Sequence, residues 1–348
     1  MKIRLLILQF FLSTYVFAQT SNTNTLTVLE YIYDFQFDKA ANYCQKQPTE
    51  NSFSNNLLWA QLLRWKHLPL HSANDSITDL YEEKLLKVKL LQMKSTFDSL
   101  SRTNSHLMLA EHYYNKGQNY KAFQEAYQAY QFLSEKLEQN SAEVDSLWLL
   151  PLSLYHYYYD YYKSNYSMSF TLMWALNKGD KQKGLDGLTK LANTNSYGTT
   201  EALIYLSHIY LRFENEPKRS LQHAIKLHQK YPNNLKFYEL LIENNLANQV
   251  NYDQNLALSQ KLINTKQTYF VKYGLTYQAL TQSQLEREKQ LKADLLENAL
   301  ASLKELGGGN HLESLLYTEL IKLKTSKQNQ YLTSLEKVKK YDFVLTQP

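Results

Sequence analysis

Nine histidines and thirty-three carboxylates supply the side chains that hydrolysis and metal binding use, so their spacing decides what chemistry is open to this chain. A helical zinc pair needs two histidines four apart on one unbroken turn. His67 and His71 have that spacing, but Pro69 between them breaks the turn that would aim both at one ion. His223 and His228 are five apart and share no face. Glu82 with Glu83, and Asp75 with Asp79, lie among Lys84, Lys87, Lys89 and Lys94, a pattern of solvated, mixed-charge helix faces. Acid–base catalysis by paired carboxyls needs surroundings that push their pKa values apart, and this stretch predicts none. No Gly-x-Ser-x-Gly elbow occurs, and Gly307-Gly308-Gly309 before Asn310-His311 follows no strand, so it is expected to be a linker. The one cysteine, Cys44, excludes a disulfide framework; with Ala40, Ala41 and Tyr43 it falls on an apolar helical stripe and is expected to be buried. These patterns assign no catalytic residue, no metal ligand and no cofactor.

The 29 tyrosines are the compositional exception. They are densest at Tyr155, Tyr157, Tyr158, Tyr159, Tyr161 and Tyr162. On a helix Tyr155, Tyr158, Tyr159 and Tyr162 share one face, while Tyr157 and Tyr161 point elsewhere. One face is then expected to pack and the other to stay accessible, where phenols suit protein or sugar recognition. Core packing of both faces is the alternative. Trp174 nearby either extends such a surface or plugs a gap.

Positioning these residues falls to helices. From residue 25 onward apolar residues recur three and four apart, and no alternating strand pattern of useful length occurs. Only 9 Gly and 6 Pro argue against strand-and-turn architectures. Short polar breaks at Pro48–Asn51, Gly117–Asn119 and Pro232–Asn234 separate helices of about ten to eighteen residues. The reading is all-α.

The helices also repeat. Ala110, Tyr113, Gly117, Ala122, Ala126 and Ala129 place small residues beneath a bulky ring across a tight turn. Ser207, Tyr210, Ser220, Ala224, Leu227 and Pro232 repeat the arrangement. Gly184, Ser220 and Asn255 anchor successive second helices at steps of 36 and 35 residues. In these features the chain resembles tetratricopeptide-repeat proteins, whose helix–turn–helix period is 34, of the exported kind common in Bacteroidota. The resemblance implies a right-handed superhelical solenoid of antiparallel helix pairs over residues 25–306. Residues 52–105 are expected to hold two or three helices that are not clean repeats, 164–178 an irregular insertion, and 307–348 a capping pair.

In such a solenoid the first helix of each pair lines a concave face. Three- and four-residue steps place Asn104, Leu107, Glu111 and Tyr114 there in one pair, and Glu201, Ile204, His208 and Leu211 in another. Phe237, Leu240 and Asn244 occupy the equivalent positions of a third. With Tyr157, Tyr161 and Trp174, the residues Asn104, Glu111, Tyr114, Glu201, His208 and Asn244 form the expected partner-binding set.

The N-terminus reads as a secretory leader. Lys2 and Arg4 precede an apolar run from Leu5 to Leu12, and Val16-Phe17-Ala18 offers cleavage after Ala18. The run is too short to span a bilayer. Cleavage leaves a flexible start over 19–24 and lowers the formal charge of +5 by two, which leaves little attraction for nucleic acid. The sequence therefore predicts an exported scaffold, periplasmic or extracellular and without a transmembrane segment, that presents a groove to a protein or peptide of the cell envelope. A glycan-binding component of a polysaccharide uptake system is the alternative, and a helical-repeat hydrolase a second.

Overall fold

The computed structural model describes residues 23–46, 52–68, 70, 74–138, 146–165, 176–194, 196, 198–306 and 311–339. The leader, Trp174, His71, Pro69 and the triple glycine lie outside the described residues. Among those described there is no strand; there are sixteen α-helices, packed in consecutive pairs. This is the all-α, paired-helix architecture that an α-solenoid requires.

The chain divides into two compact units, 1–206 and 207–348. The first holds α1 (Thr23–Tyr33), α2 (Phe37–Lys46), α3 (Phe53–Lys66), α4 (Asp75–Leu90), α5 (Thr96–Asn115), α6 (Asn119–Leu137), α7 (Leu149–Asn165) and α8 (Lys181–Ala192). Helix α9 (Thr199–His208) crosses the boundary. The second unit continues with α10 (Pro217–Lys230), α11 (Leu235–Asn248), α12 (Tyr252–Ile263), α13 (Thr268–Leu285), α14 (Lys289–Lys304), α15 (His311–Lys322) and α16 (Gln328–Lys339). The first helices of successive pairs also meet: α1 with α3, α3 with α5, and α11 with α13. Residues 52–105, expected to hold two or three helices, form α3, α4 and the first half of α5. That helix starts at Thr96, capped by the Ser95 hydroxyl, ahead of the apolar pattern that begins near His106.

Small residues set the spacing within pairs. Ala122, Ala126 and Ala129 of α6 are fully buried against α5. The α7–α8 pair is closer still: a Cβ on Gly184 would stand 2.6 Å from the Ser153 carbonyl oxygen and from the Tyr157 amide nitrogen. Gly274 of α13 has the same relation to α12, with the Ser259 carbonyl oxygen at 2.8 Å. Cys44 lies inside, and burial pushes its thiol up to about 12.

Two hydrogen bonds mark a regular register in the second unit. Tyr277 reaches Glu243 from 34 residues away, and Tyr331 reaches Glu297 from the same separation. The first joins two first helices and the second joins two second helices, so both layers step by one pair at that interval.

Candidate functional site

In the first unit three of the first helices, α3, α5 and α7, are nearly sealed. α5 is buried from Ser101 to Tyr113 with Arg102 alone half-buried, and α3 and α7 are buried on almost every side. Asn104 (2% exposed) and Glu111 (7% exposed) are therefore interior residues, not groove residues. Glu111 pairs with Arg64 of α3 at 3.3 Å, both side chains nearly inaccessible. Burial disfavours charge on each, raising the carboxyl well above its usual range and lowering the guanidinium. Tyr81, Tyr205 and Tyr33 face Arg64. Glu201, expected on a groove, is likewise buried and accepts a hydrogen bond from the Tyr33 hydroxyl of α1. Tyr114, at the end of α5, stays half-buried.

The tyrosine-rich helix α7 corrects a second expectation. Tyr157 is fully buried, because the glycine face of α8 comes down onto it. Tyr161 is half-buried, stacked on Tyr157 with ring centroids 6.0 Å apart. Tyr155 stacks with Tyr130 and Tyr159, and its hydroxyl donates to the Asn177 carbonyl. Both faces of the helix pack. Among the carboxylates of α4, Asp75, Asp79 and Glu83 are exposed as expected, and Glu82 alone departs: it accepts from the Tyr113 hydroxyl at 2.7 Å and lies 3.3 Å from His112.

In the second unit a charged row runs along the first helices, one residue out of phase with the groove expected on α11. Phe237, Leu240 and Asn244 are buried, as are Glu239 and Glu243 beside them. The Asn244 amide donates to the Leu240 carbonyl at 2.8 Å and to the Ser207 hydroxyl at 3.3 Å, which ties α11 to the end of α9. The row is instead Lys236, Glu239 and Glu243, rotated by about 100°. The Asn234 cap, whose side chain accepts from the Lys236 and Phe237 amides, starts α11 and fixes Lys236 in its first turn.

Glu243 is saturated. Arg212 donates to its Oε2 at 3.0 Å, the Tyr277 hydroxyl to its Oε1 at 2.7 Å, and His311 Nε2 lies 3.7 Å from Oε2. Burial works against its charge, but Arg212, His311 and the Tyr277 bond outweigh it and hold the carboxyl at about 2. Arg212 belongs to a π-turn over Ile209–Phe213, closed by the Glu214 amide on the Ile209 carbonyl at 2.9 Å. His208 precedes that turn, half-buried, and burial beside Arg212 holds its pKa well below 6.5, so it is neutral near pH 7.

Glu239 differs from Glu243. It is 3% exposed; its Oε2 accepts from the Lys236 ammonium at 2.6 Å, while its Oε1 is buried without a hydrogen-bond partner. Burial raises it to about 7 against the pull of Lys236. The Lys236 ammonium also donates to the Tyr269 hydroxyl at 2.6 Å. It lies 5.0 and 5.5 Å from the Tyr269 and Tyr273 ring centroids, and those rings sit 4.1 Å apart.

Of the expected binding residues that are described, His208 adjoins this row; Trp174 lies outside the described residues. The signal for the rest was the repetition of chemistry: Glu243, Tyr277 and His311 recur at steps of 34, and Glu239 and Tyr273 at the same step. Among the described residues no three His, Cys, Asp or Glu side chains converge as metal ligands, and no helix is long and apolar enough to cross a membrane. Comparison with family models, curated proteins and solved structures finds no match.

Proposed function

We propose that the chain is a tetratricopeptide-type scaffold that holds a protein or peptide partner on the first helices of its second unit. The observation that carries this reading is the row Arg212–Glu243–Lys236–Glu239, walled by Tyr269, Tyr273 and Tyr277; its carboxyls are buried like Glu111, but its cations Arg212 and Lys236 keep more exposure than Arg64 and form the row's accessible edge. Two ion pairs at helix faces that apolar side chains would fill more stably are a cost to folding. Recognition gives that cost a purpose, and tyrosine with arginine is the composition of binding hot spots. The 34-residue register supports the repeat class. The leader at residues 1–18 supports action outside the cytoplasm, in the envelope or beyond it.

The paired carboxyls at about 7 and about 2 also resemble an acid–base pair. Both oxygens of Glu243 are already engaged, which favours a structural anion over a catalytic base. Burial of Tyr157 leaves the glycan reading without an accessible aromatic face on α7.

Crosslinking in native cells tests the scaffold. His208→Glu should lower partner recovery by about ten-fold or more, the scale of a hot-spot loss. Tyr114→Glu asks whether the first unit contributes. Equal recovery with wild type and His208→Glu at matched protein levels would remove the second unit as the binding face.

A further inference from the structure

The second unit contains a formed cation site with an internal occupant. Three kinds of group converge on one ammonium: a carboxylate oxygen of Glu239, the Tyr269 hydroxyl, and the rings of Tyr269 and Tyr273. This is the chemistry by which proteins hold organic cations. The occupant uses only half of what is offered. Lysine is a point charge, so Lys236 engages Oε2 and leaves Oε1 of a carboxyl that is 97% buried with no protein donor. The neighbouring Glu243, in contrast, has both oxygens filled. A planar guanidinium would take both oxygens of Glu239 in a forked pair and lie against the tyrosine rings. Lys236 stands in the first turn of α11 on a flexible four-carbon stem, half-buried, and can swing aside without disturbing the helix.

We infer that the Glu239–Tyr269–Tyr273 site is a receptor for an arginine side chain of the partner, with Lys236 as the resident ion that the arginine displaces. This rests on the scaffold reading and names the partner's anchoring group. Glu239 faces Lys236 and Glu243 on its own helix and Tyr269, Tyr273 and Tyr277 on α13. Entry of a second, better-matched cation favours its ionised form, so binding near pH 7 should release a proton.

The test is calorimetric titration of the full chain with capped arginine, capped lysine and capped citrulline (N-acetyl, methylamide). Arginine should bind, lysine should bind about ten-fold more weakly, and uncharged citrulline should not bind. Lys236→Ala removes the competitor and should tighten arginine binding by about ten-fold, while Glu239→Gln should abolish it. Should Glu239→Gln fail to fold, the Lys236→Ala arm and the citrulline comparison decide. Arginine and citrulline binding equally, no binding by either wild type or Lys236→Ala, or unchanged affinity on Lys236→Ala would each overturn the site. Loss of the crosslinked partner on His208→Glu together with any of those results would leave the scaffold standing and remove only the arginine anchor.

Discussion

Arg64 and Glu111 show what a buried charge demands of its neighbours. With both side chains sealed between α3 and α5, removing either leaves the other charged or protonated without its counterpart. Glu111→Ala should therefore cost about 3–5 kcal/mol in urea unfolding, whereas the double change Arg64→Met, Glu111→Leu should recover most of the loss. In the second unit Glu239 and Glu243 act in opposite pH windows. The folded Glu239 keeps its proton up to about 7, against 4.5 for the ordinary carboxyl, so its contribution is full below 4.5 and is lost as pH rises through 7. Glu243, held at about 2, contributes fully above 4.5 and loses that contribution as pH falls through 2. Burial also holds His156 and His223 at about 4, and their contribution is lost as pH falls from 6.5 through 4. The Glu239 effect is isolated by difference: the stability of wild type minus that of Glu239→Gln should decline between pH 4.5 and 7 and then level off. A flat difference would contradict the burial described for Glu239.

Among the elements, α7 and α8 depend most on one missing side chain. A methyl group at Gly184 meets backbone on two sides, and backbone cannot rotate away. Gly184→Ala should cost about 1–3 kcal/mol and disturb the near-ultraviolet dichroism of the stacked tyrosines. Lys183→Ala, exposed on the same helix, should change stability by less than about 0.5 kcal/mol. The small-residue register, Gly184 and Ala122 included, was legible because a helix pair cannot close without it. The proposed binding row was less so. On α11 the spacing selects Phe237, Leu240 and Asn244, each one residue along from the charges at Lys236, Glu239 and Glu243 on which the proposal is built. Periodicity fixes that a stripe exists; which edge of a nearly all-buried helix turns outward depends on neighbours far along the chain. Glu111 and Glu201 misled for the same reason. Their charge suggested solvent, and their partners, Arg64 and Tyr33, are 47 and 168 residues away. Arg212 was hidden differently, since its aim comes from a π-turn that a 3.6-residue pattern does not describe.

For the whole chain, the proposed leader over residues 1–18 makes a direct prediction: the intact mass of protein recovered from culture should correspond to a chain starting at Gln19. A mass retaining Met1 would remove the export reading. The buried phenols carry a consequence at the other end of the pH scale. Tyr81, Tyr155, Tyr269, Tyr273 and Tyr277 are all pushed above the ordinary value of 10.0, foremost by burial. Each resists ionising while folded and ionises freely once unfolded, so each withdraws its support as alkali rises past that value. Base should therefore find no gradual route into this protein. The share of tyrosinate absorbance that these five supply should appear only together with the loss of helix, which makes them a built-in indicator of its collapse, while exposed phenols such as Tyr120 and Tyr127 stay open to base in the folded chain.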